Sequence, residues 1–269
     1  MELFAIKRQA KRIDICATGL AGLLWIFCPI GIAQNSPPAL LADPFIPAIE
    51  KMKDAVAPLD CLAVNGAESK VLERMGTAFL VSEAGDFLTA AHVIREMQKR
   101  EGACPTTAIT LPAQEWHPEA RTEQMRWFPF KISDCRIDDI LDVAKCRLSE
   151  DLSVGIREFH LKVFPVQFEW NLPRDGTQVA FTGFPLQARD PMTFRAGVAA
   201  YRIPGRDEPI PELVLDHTAL PGFSGSPVYL ADGRVVAILV GNGTGEATGI
   251  TVARPASICR EMLAEGPSQ

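Results

Sequence analysis

The residue best placed for chemistry is a serine set among glycines, in Pro221-Gly222-Phe223-Ser224-Gly225-Ser226-Pro227-Val228. The glycines let the backbone turn sharply and bring main-chain N–H groups to bear on one point. An acyl-transfer nucleophile needs that arrangement. The N–H groups of Gly222 and Ser224 can together bind an oxyanion, each such donor contributing about 3 kcal/mol of transition-state stabilisation. Taken alone, the run reads equally well as a Gly/Ser turn between strands. A serine hydroxyl is also a poor nucleophile at neutral pH without a base beside it. Among His92, His117, His160 and His217, only His92 follows an apolar run ending in small residues, Phe87-Leu88-Thr89-Ala90-Ala91. That setting places an imidazole at a strand end, pointing into a cleft, whereas His117 and His160 read as structural or surface residues. Between histidine and serine lie Asp138, Asp139 and Asp142. Asp142 opens the apolar strand Val143-Ala144-Lys145-Cys146-Arg147-Leu148, where its carboxylate is partly buried, and the other two read as solvated turn residues. The elbow of α/β-hydrolases is disfavoured: Ser226 stands where that motif needs glycine, and Pro227-Val228-Tyr229-Leu230 is extended where it needs a helix.

The surrounding pattern supplies a frame for these residues. Phe45, Ile49, Met52 and Val56 form one face of a short helix, with Pro47 tolerated in its first turn. From Leu59 onward, short apolar runs alternate with Gly, Pro, Asn and Asp, and predict strands at 76–82, 86–90, 107–111, 126–132 and 143–148. The second half repeats the texture at 163–168, 177–183, 193–202, 213–216, 226–230 and 234–240. Asp232-Gly233 is a hairpin turn signal between the last two, and a helix over 256–265 closes the chain. Two runs of about six strands predict an all-β fold of two packed antiparallel six-stranded β-barrels, with a short N-terminal helix and a C-terminal helix. The junction falls near 150–162. The expected division is 1–33, an N-terminal extension at 34–58, a first barrel at 59–155 carrying His92 and Asp142, and a second at 156–269 carrying Ser224.

Composition narrows the class of partner. The 269 residues carry 27 Lys and Arg against 33 Asp and Glu, a formal charge of −6, so the chain lacks the basic footprint that phosphate neutralisation requires. A nucleic-acid partner is therefore not expected. Lys7, Arg8, Lys11 and Arg12 precede an uncharged run, Ile15 to Ala33, with small residues at Gly31 and Ala33, which is the plan of a secretory signal peptide cleaved before Gln34. An uncleaved anchor is the alternative, since that run is long enough to span a bilayer; the chain contacts a membrane only in that case. Export leaves Cys61, Cys104, Cys135, Cys146 and Cys259 in an oxidising compartment, an odd number that leaves at least one thiol over or paired between chains. Cys135 and Cys146 flank a short Asp-rich segment as two strands of a hairpin would, and are the preferred pair. Metal binding is discounted, because there is no CxxC and the histidines do not cluster with the cysteines.

The order His, Asp, Ser, carried by Gly76-Thr77-Ala78-Phe79-Leu80-Val81-Ser82, Phe87-Leu88-Thr89-Ala90-Ala91-His92-Val93-Ile94, Leu141-Asp142-Val143 and Pro221 to Val228, resembles the trypsin-like serine peptidases of the chymotrypsin fold. The likeness is to the compact bacterial kind without an appended binding module. Gly176 to Pro185 resembles their strand running into Gly-Phe/Tyr-Pro, and Asp232 to Ile238 resembles their hairpin after the serine, so the resemblance spans about residues 60–255. It implies Ser224 as nucleophile, His92 as general base and acid, Asp142 as the residue orienting the imidazole, and the Gly222 and Ser224 N–H groups as the oxyanion hole. By the same count Thr218 lies at the base of the primary pocket, with Leu239-Val240-Gly241 as the opposing wall. Neither segment offers a carboxylate, which argues against cleavage after Lys or Arg and for a small or medium apolar side chain. The implied function is an exported, secreted or periplasmic serine endopeptidase acting on polypeptides without cofactor or metal; the alternative is a protease-fold binding or scaffold protein. The chain departs from the pattern at Phe223, which is usually a small or polar residue, and at Lys145, which interrupts the strand after Asp142. No Ile-Val-Gly-Gly segment supports activation by a freed N-terminus.

Overall fold

Alternating apolar side chains bury one face of a strand, and six strands so patterned can close on themselves and leave no edge. The computed structural model describes residues 43–264 apart from 66–67, 101, 118–121, 160, 162, 203–209 and 243–248; the expected signal or anchor segment, His160 and residue 265 lie outside the described residues. The first six strands are β1 (Val56–Asn65), β2 (Glu68–Leu80), β3 (Asp86–Ala90), β4 (Thr106–His117), β5 (Thr122–Asp138) and β6 (Val143–Leu148). They close a barrel in the order β1-β2-β3-β6-β5-β4. The second six are β7 (Gln178–Gly183), β8 (Met192–Arg202), β9 (Glu212–Leu215), β10 (Pro227–Tyr229), β11 (Val235–Asn242) and β12 (Thr251–Pro255), closed as β10-β11-β12-β9-β8-β7. All ladders within both barrels are antiparallel. The helices are α1 (Phe45–Lys53), α2 (Ala91–Lys99), α3 (Leu152–Phe159) and α4 (Arg260–Ala264), the last preceded by a 3-10 turn over Ala256–Cys259.

The period-two alternation builds three apolar clusters. Leu80, Phe87, Ile109 and Ala144 face the interior of the first barrel, and Val179, Phe181, Leu215 and Leu239 that of the second. Their strand neighbours Phe79, Leu88, Val143 and Ala180 face the other way, into a third cluster between the barrels together with Tyr229 and Ile238. Phe45, Ala48 and Met52 of α1 join this cluster, as does Cys259.

Three expected elements take another form. Residues 163–168 are an extended connector and not a strand: Phe164 N donates to Asp54 O at the end of α1 and Val166 N to Leu80 O of the first barrel, whereas Gln167 O accepts from Val235 N of the second. Pro165 lacks the N–H a ladder needs, so the segment laces the barrels together. The sixth strand of the second barrel is instead β12, which pairs with β11 and β9. Val56, expected on the helix face, begins β1, because α1 ends at Lys53. His92, expected at a strand end, lies in the first turn of α2, since β3 stops at Ala90 and Val93, Ile94 and Met97 turn a helical face to the core.

Cys135 and Cys146, directly opposed on β5 and β6, form a disulfide; Cys61 pairs with Cys104 in a second bond that spacing did not suggest. Two disulfides point to an oxidising, extracytoplasmic compartment. Cys259 is free, and burial pushes its thiol up to about 12, so it stays protonated. No helix among the described residues is long and apolar enough to cross a membrane. The two bonds close loops of very different length, with sequence separations of 43 and 11. By loop-closure entropy they contribute about 4 and about 3 kcal/mol. In urea unfolding, the paired substitution Cys61→Ala with Cys104→Ala is therefore expected to cost more than Cys135→Ala with Cys146→Ala.

Candidate active site

An α-helix begins with unsatisfied N–H groups, and α2 has no side-chain cap of its own because Ala90 occupies that position. Asp142 supplies the acceptors from the head of the neighbouring strand β6, where Val143 pairs with Ala90. Its carbonyl accepts from Ala91 N at 3.1 Å and its Oδ1 from His92 N at 2.8 Å, while Oδ2 lies 2.8 Å from His92 Nδ1. The carboxylate thus grips both the backbone and the ring of His92, and favours the tautomer with the proton on Nδ1 and a free lone pair on Nε2. Asp142 itself sits at φ 54, in the left-handed region, at the end of a turn. Asp138 Oδ1 builds that turn by accepting from Ile140 N and Leu141 N, as its reading as a turn residue implied. Asp139 is exposed and paired with Arg95 of α2, whose guanidinium holds the Asp139 carboxyl below its usual range. Lys145, the charge interrupting β6, donates its Nζ to Leu263 O at 3.5 Å.

The serine loop belongs to the second barrel but is pinned by the first. Thr77 N donates to Ser224 O at 2.9 Å, and Thr77 Oγ1 donates to Gly222 O at 2.8 Å while accepting from Phe184 N. Gly225, at φ 88, is so close to the first barrel that a Cβ would stand 3.0 Å from Ala90 N, two residues before His92. Gly222 lies at φ 99 and Gly225 N donates to Leu239 O. Phe223 packs beside the cleft without crowding it: it is fully buried, its ring 5.0 Å from Phe181 and 5.1 Å from Phe194. Pro221 O accepts from Leu186 N at 2.8 Å and Phe223 O from Ser226 N at 2.9 Å. In planar trans peptides those bonds turn the Gly222 and Ser224 N–H groups to the opposite side. Among the described residues neither of these N–H groups has a partner, as an oxyanion site requires.

His92 and Asp142 are therefore in direct contact, and the Ser224 loop is docked against the strand that leads into His92. No hydrogen bond joins the Ser224 hydroxyl to the imidazole; such bonds often tighten only once substrate is bound. Of the expected pocket residues, Thr218 is exposed and Gly241 has open space where a Cβ would stand. Leu239 and Val240 present backbone and not side chains, because Leu239 fills the second barrel and Val240 packs on the first barrel's cluster. His217 stacks on Phe194 with its Nδ1 against Thr218 O. Asp216, exposed two residues before Thr218, accepts from Gly197 N through Oδ1 at 2.6 Å. Asn242, which the sequence reading passed over, joins the two pocket segments by bonding Ala219 N and Ala219 O. Thr77 was also missed; its only signal was a polar residue inside an apolar strand.

A family model described as a trypsin-like peptidase domain matches residues 76–238, more than half the chain. Among solved structures, the Rv3671c protease from M. tuberculosis in its active form is 19% identical with a TM-score of 0.57, the match covering 83% of this chain and 86% of that one. The same protease in an inactive form gives 17% identity and a TM-score of 0.56 over 81% and 91%. A serine-to-alanine mutant of it, also inactive, gives 16% and 0.54 over 86% and 96%. At such identities the likeness is one of fold. No curated protein matches the chain.

Proposed function

Because the chain belongs to the trypsin-like peptidase domain family, we propose that it is an exported serine endopeptidase whose nucleophile is Ser224. The observation that carries this reading is the double grip of Asp142 on His92, beside a serine loop whose two N–H donors are unpartnered. His92 Nε2 takes the hydroxyl proton as Ser224 Oγ attacks the scissile carbonyl, and Asp142 stabilises the imidazolium that results. The tetrahedral oxyanion is bound by the Gly222 and Ser224 N–H groups. His92 then protonates the leaving amine, and water hydrolyses the acyl-enzyme by the reverse proton path.

Polypeptide is the substrate class. The β10 ladder with β11 ends at Pro227–Ile238, whereas β12 follows β11 on to Asn242. Residues 240–242 therefore keep one open edge on which an extended peptide can pair as an added strand. With Thr218 at the pocket base and no carboxylate at Thr218 or in Leu239-Val240-Gly241, the favoured side chain before the scissile bond is small or medium and apolar. Residues 1–33 act as the export signal.

The test is labelling of the full chain with a fluorophosphonate, which reports an activated serine without a known substrate, followed by peptide mass mapping. Adduct on the peptide carrying Ser224 supports the reading. A folded chain that takes no label would overturn it in favour of a binding scaffold.

A further inference from the structure

A buried ion pair rarely stabilises a fold better than apolar side chains of the same size, so it asks for another use. Asp60 on β1 is fully buried, and Arg74 on β2 keeps only 10% of its side-chain surface. Arg74 Nε donates to Asp60 Oδ1 at 2.9 Å and Nη2 to Oδ2 at 3.4 Å, while Thr110 Oγ1 donates to Oδ2 at 2.7 Å. The rest of Arg74 is spent on the other barrel. Its Nη1 donates to Ala188 O, and its guanidinium lies 5.3 Å from the centre of the Phe184 ring. The Gln187 side chain takes both backbone groups of Arg74, N at 2.9 Å and O at 2.8 Å. All these contacts fall on the turn 184–188 that follows β7.

That turn is strained. Leu186 and Gln187 sit at φ 49 and φ 62, a region disfavoured for residues with a Cβ, and Leu186 is 63% exposed, so burial does not hold it there. From this conformation Leu186 N reaches Pro221 O, the bond that, across the trans peptide, turns the Gly222 N–H to the side away from Leu186. Phe184 O would stand 2.4 Å from a Cβ on Gly222, so turn and serine loop are in direct contact.

We infer that Asp60, Arg74 and Gln187 are positioning residues that lock the turn 184–188 in its left-handed conformation and thereby orient the Gly222 oxyanion donor. This rests on the hydrolase reading for its catalytic consequence, but the lock itself has a separate readout. Gln187 is exposed, so Gln187→Ala is expected to fold.

Two quantities are measured on the full chain: amide exchange of Leu186 by NMR and the rate of fluorophosphonate labelling. Gln187→Ala is expected to raise Leu186 exchange about tenfold or more and to slow labelling about 10²-fold, the loss typical of one oxyanion donor. Arg74→Lys, which keeps the charge for Asp60 but loses the fork to Ala188, is expected to act in the same direction. Leu186→Gly in the Gln187→Ala background restores the labelling rate in part, because glycine takes the left-handed conformation unaided; general destabilisation would not be rescued this way. Unchanged Leu186 exchange in Gln187→Ala would overturn the lock. Faster exchange with an unchanged labelling rate would overturn its link to the oxyanion donor. If the parent chain takes no label, the hydrolase reading and with it the catalytic consequence fall, while Leu186 exchange still decides the lock.

Discussion

On the proposed mechanism, Ser224→Ala and His92→Ala are each expected to lower peptide-bond turnover about 10⁶-fold, and the double variant to be no worse than either, because the two side chains would act as one proton-transfer unit. On the same mechanism Asp142→Asn is expected to lower it about 10⁴-fold by a different route. The asparagine Oδ1 still accepts from His92 N, so the cap on α2 survives. Its amide NH₂, however, faces Nδ1 where a carboxylate stood 2.8 Å away, and drives the ring proton to Nε2, where the ring can no longer accept from serine. Asp142→Ala removes the cap as well and is expected to lower thermal stability in addition, by about 1 kcal/mol. Turnover is read on a peptide library, with circular dichroism confirming the fold. Equal activity in Asp142→Asn and the parent would remove Asp142 from the mechanism.

Gly225→Ala separates the serine loop from the barrel that carries His92. An added Cβ would stand 2.1 Å from Thr77 O and 2.3 Å from Thr89 Oγ1, in a residue held at φ 88. Neither the β2 backbone nor the buried Thr89, whose hydroxyl is bonded to Thr77 O, can give way cheaply. The loop must back off instead, breaking the Thr77 N bond to Ser224 O and the Gly225 N bond to Leu239 O. A destabilisation of about 3–5 kcal/mol is expected in urea unfolding, with fluorophosphonate labelling lost even under conditions where the chain remains folded. Gly102→Ala is the control: nothing lies within 4 Å of its Cβ, and its effect should stay within about 0.5 kcal/mol. Near-parental labelling in Gly225→Ala would show that this docking does not set the serine.

What could be read along the chain was whatever a short stretch of sequence advertises. Ser224 between glycines, His92 after small residues and Asp142 at the head of an apolar strand each stand out within a few residues, and the two-barrel fold follows from period-two runs broken by turn residues. The Cys135–Cys146 pair was legible because a hairpin sets its two members opposite each other. Tertiary structure alone decided the rest. Cys61 and Cys104 are 43 residues apart with no local sign of pairing. The last strand went to β12 and not to 163–168, because hydrophobic texture does not say which segment finds a free edge. Leu186, Gln187 and Asp142 adopt left-handed backbone that only glycine would have announced. Thr77, Arg74 and Gln187 act on partners more than a hundred residues away. The pattern of a strand encodes which face is buried, but which backbone groups meet across two barrels depends on closure, docking and the cost of leaving a buried polar group unpaired, none of which a local run of residues contains.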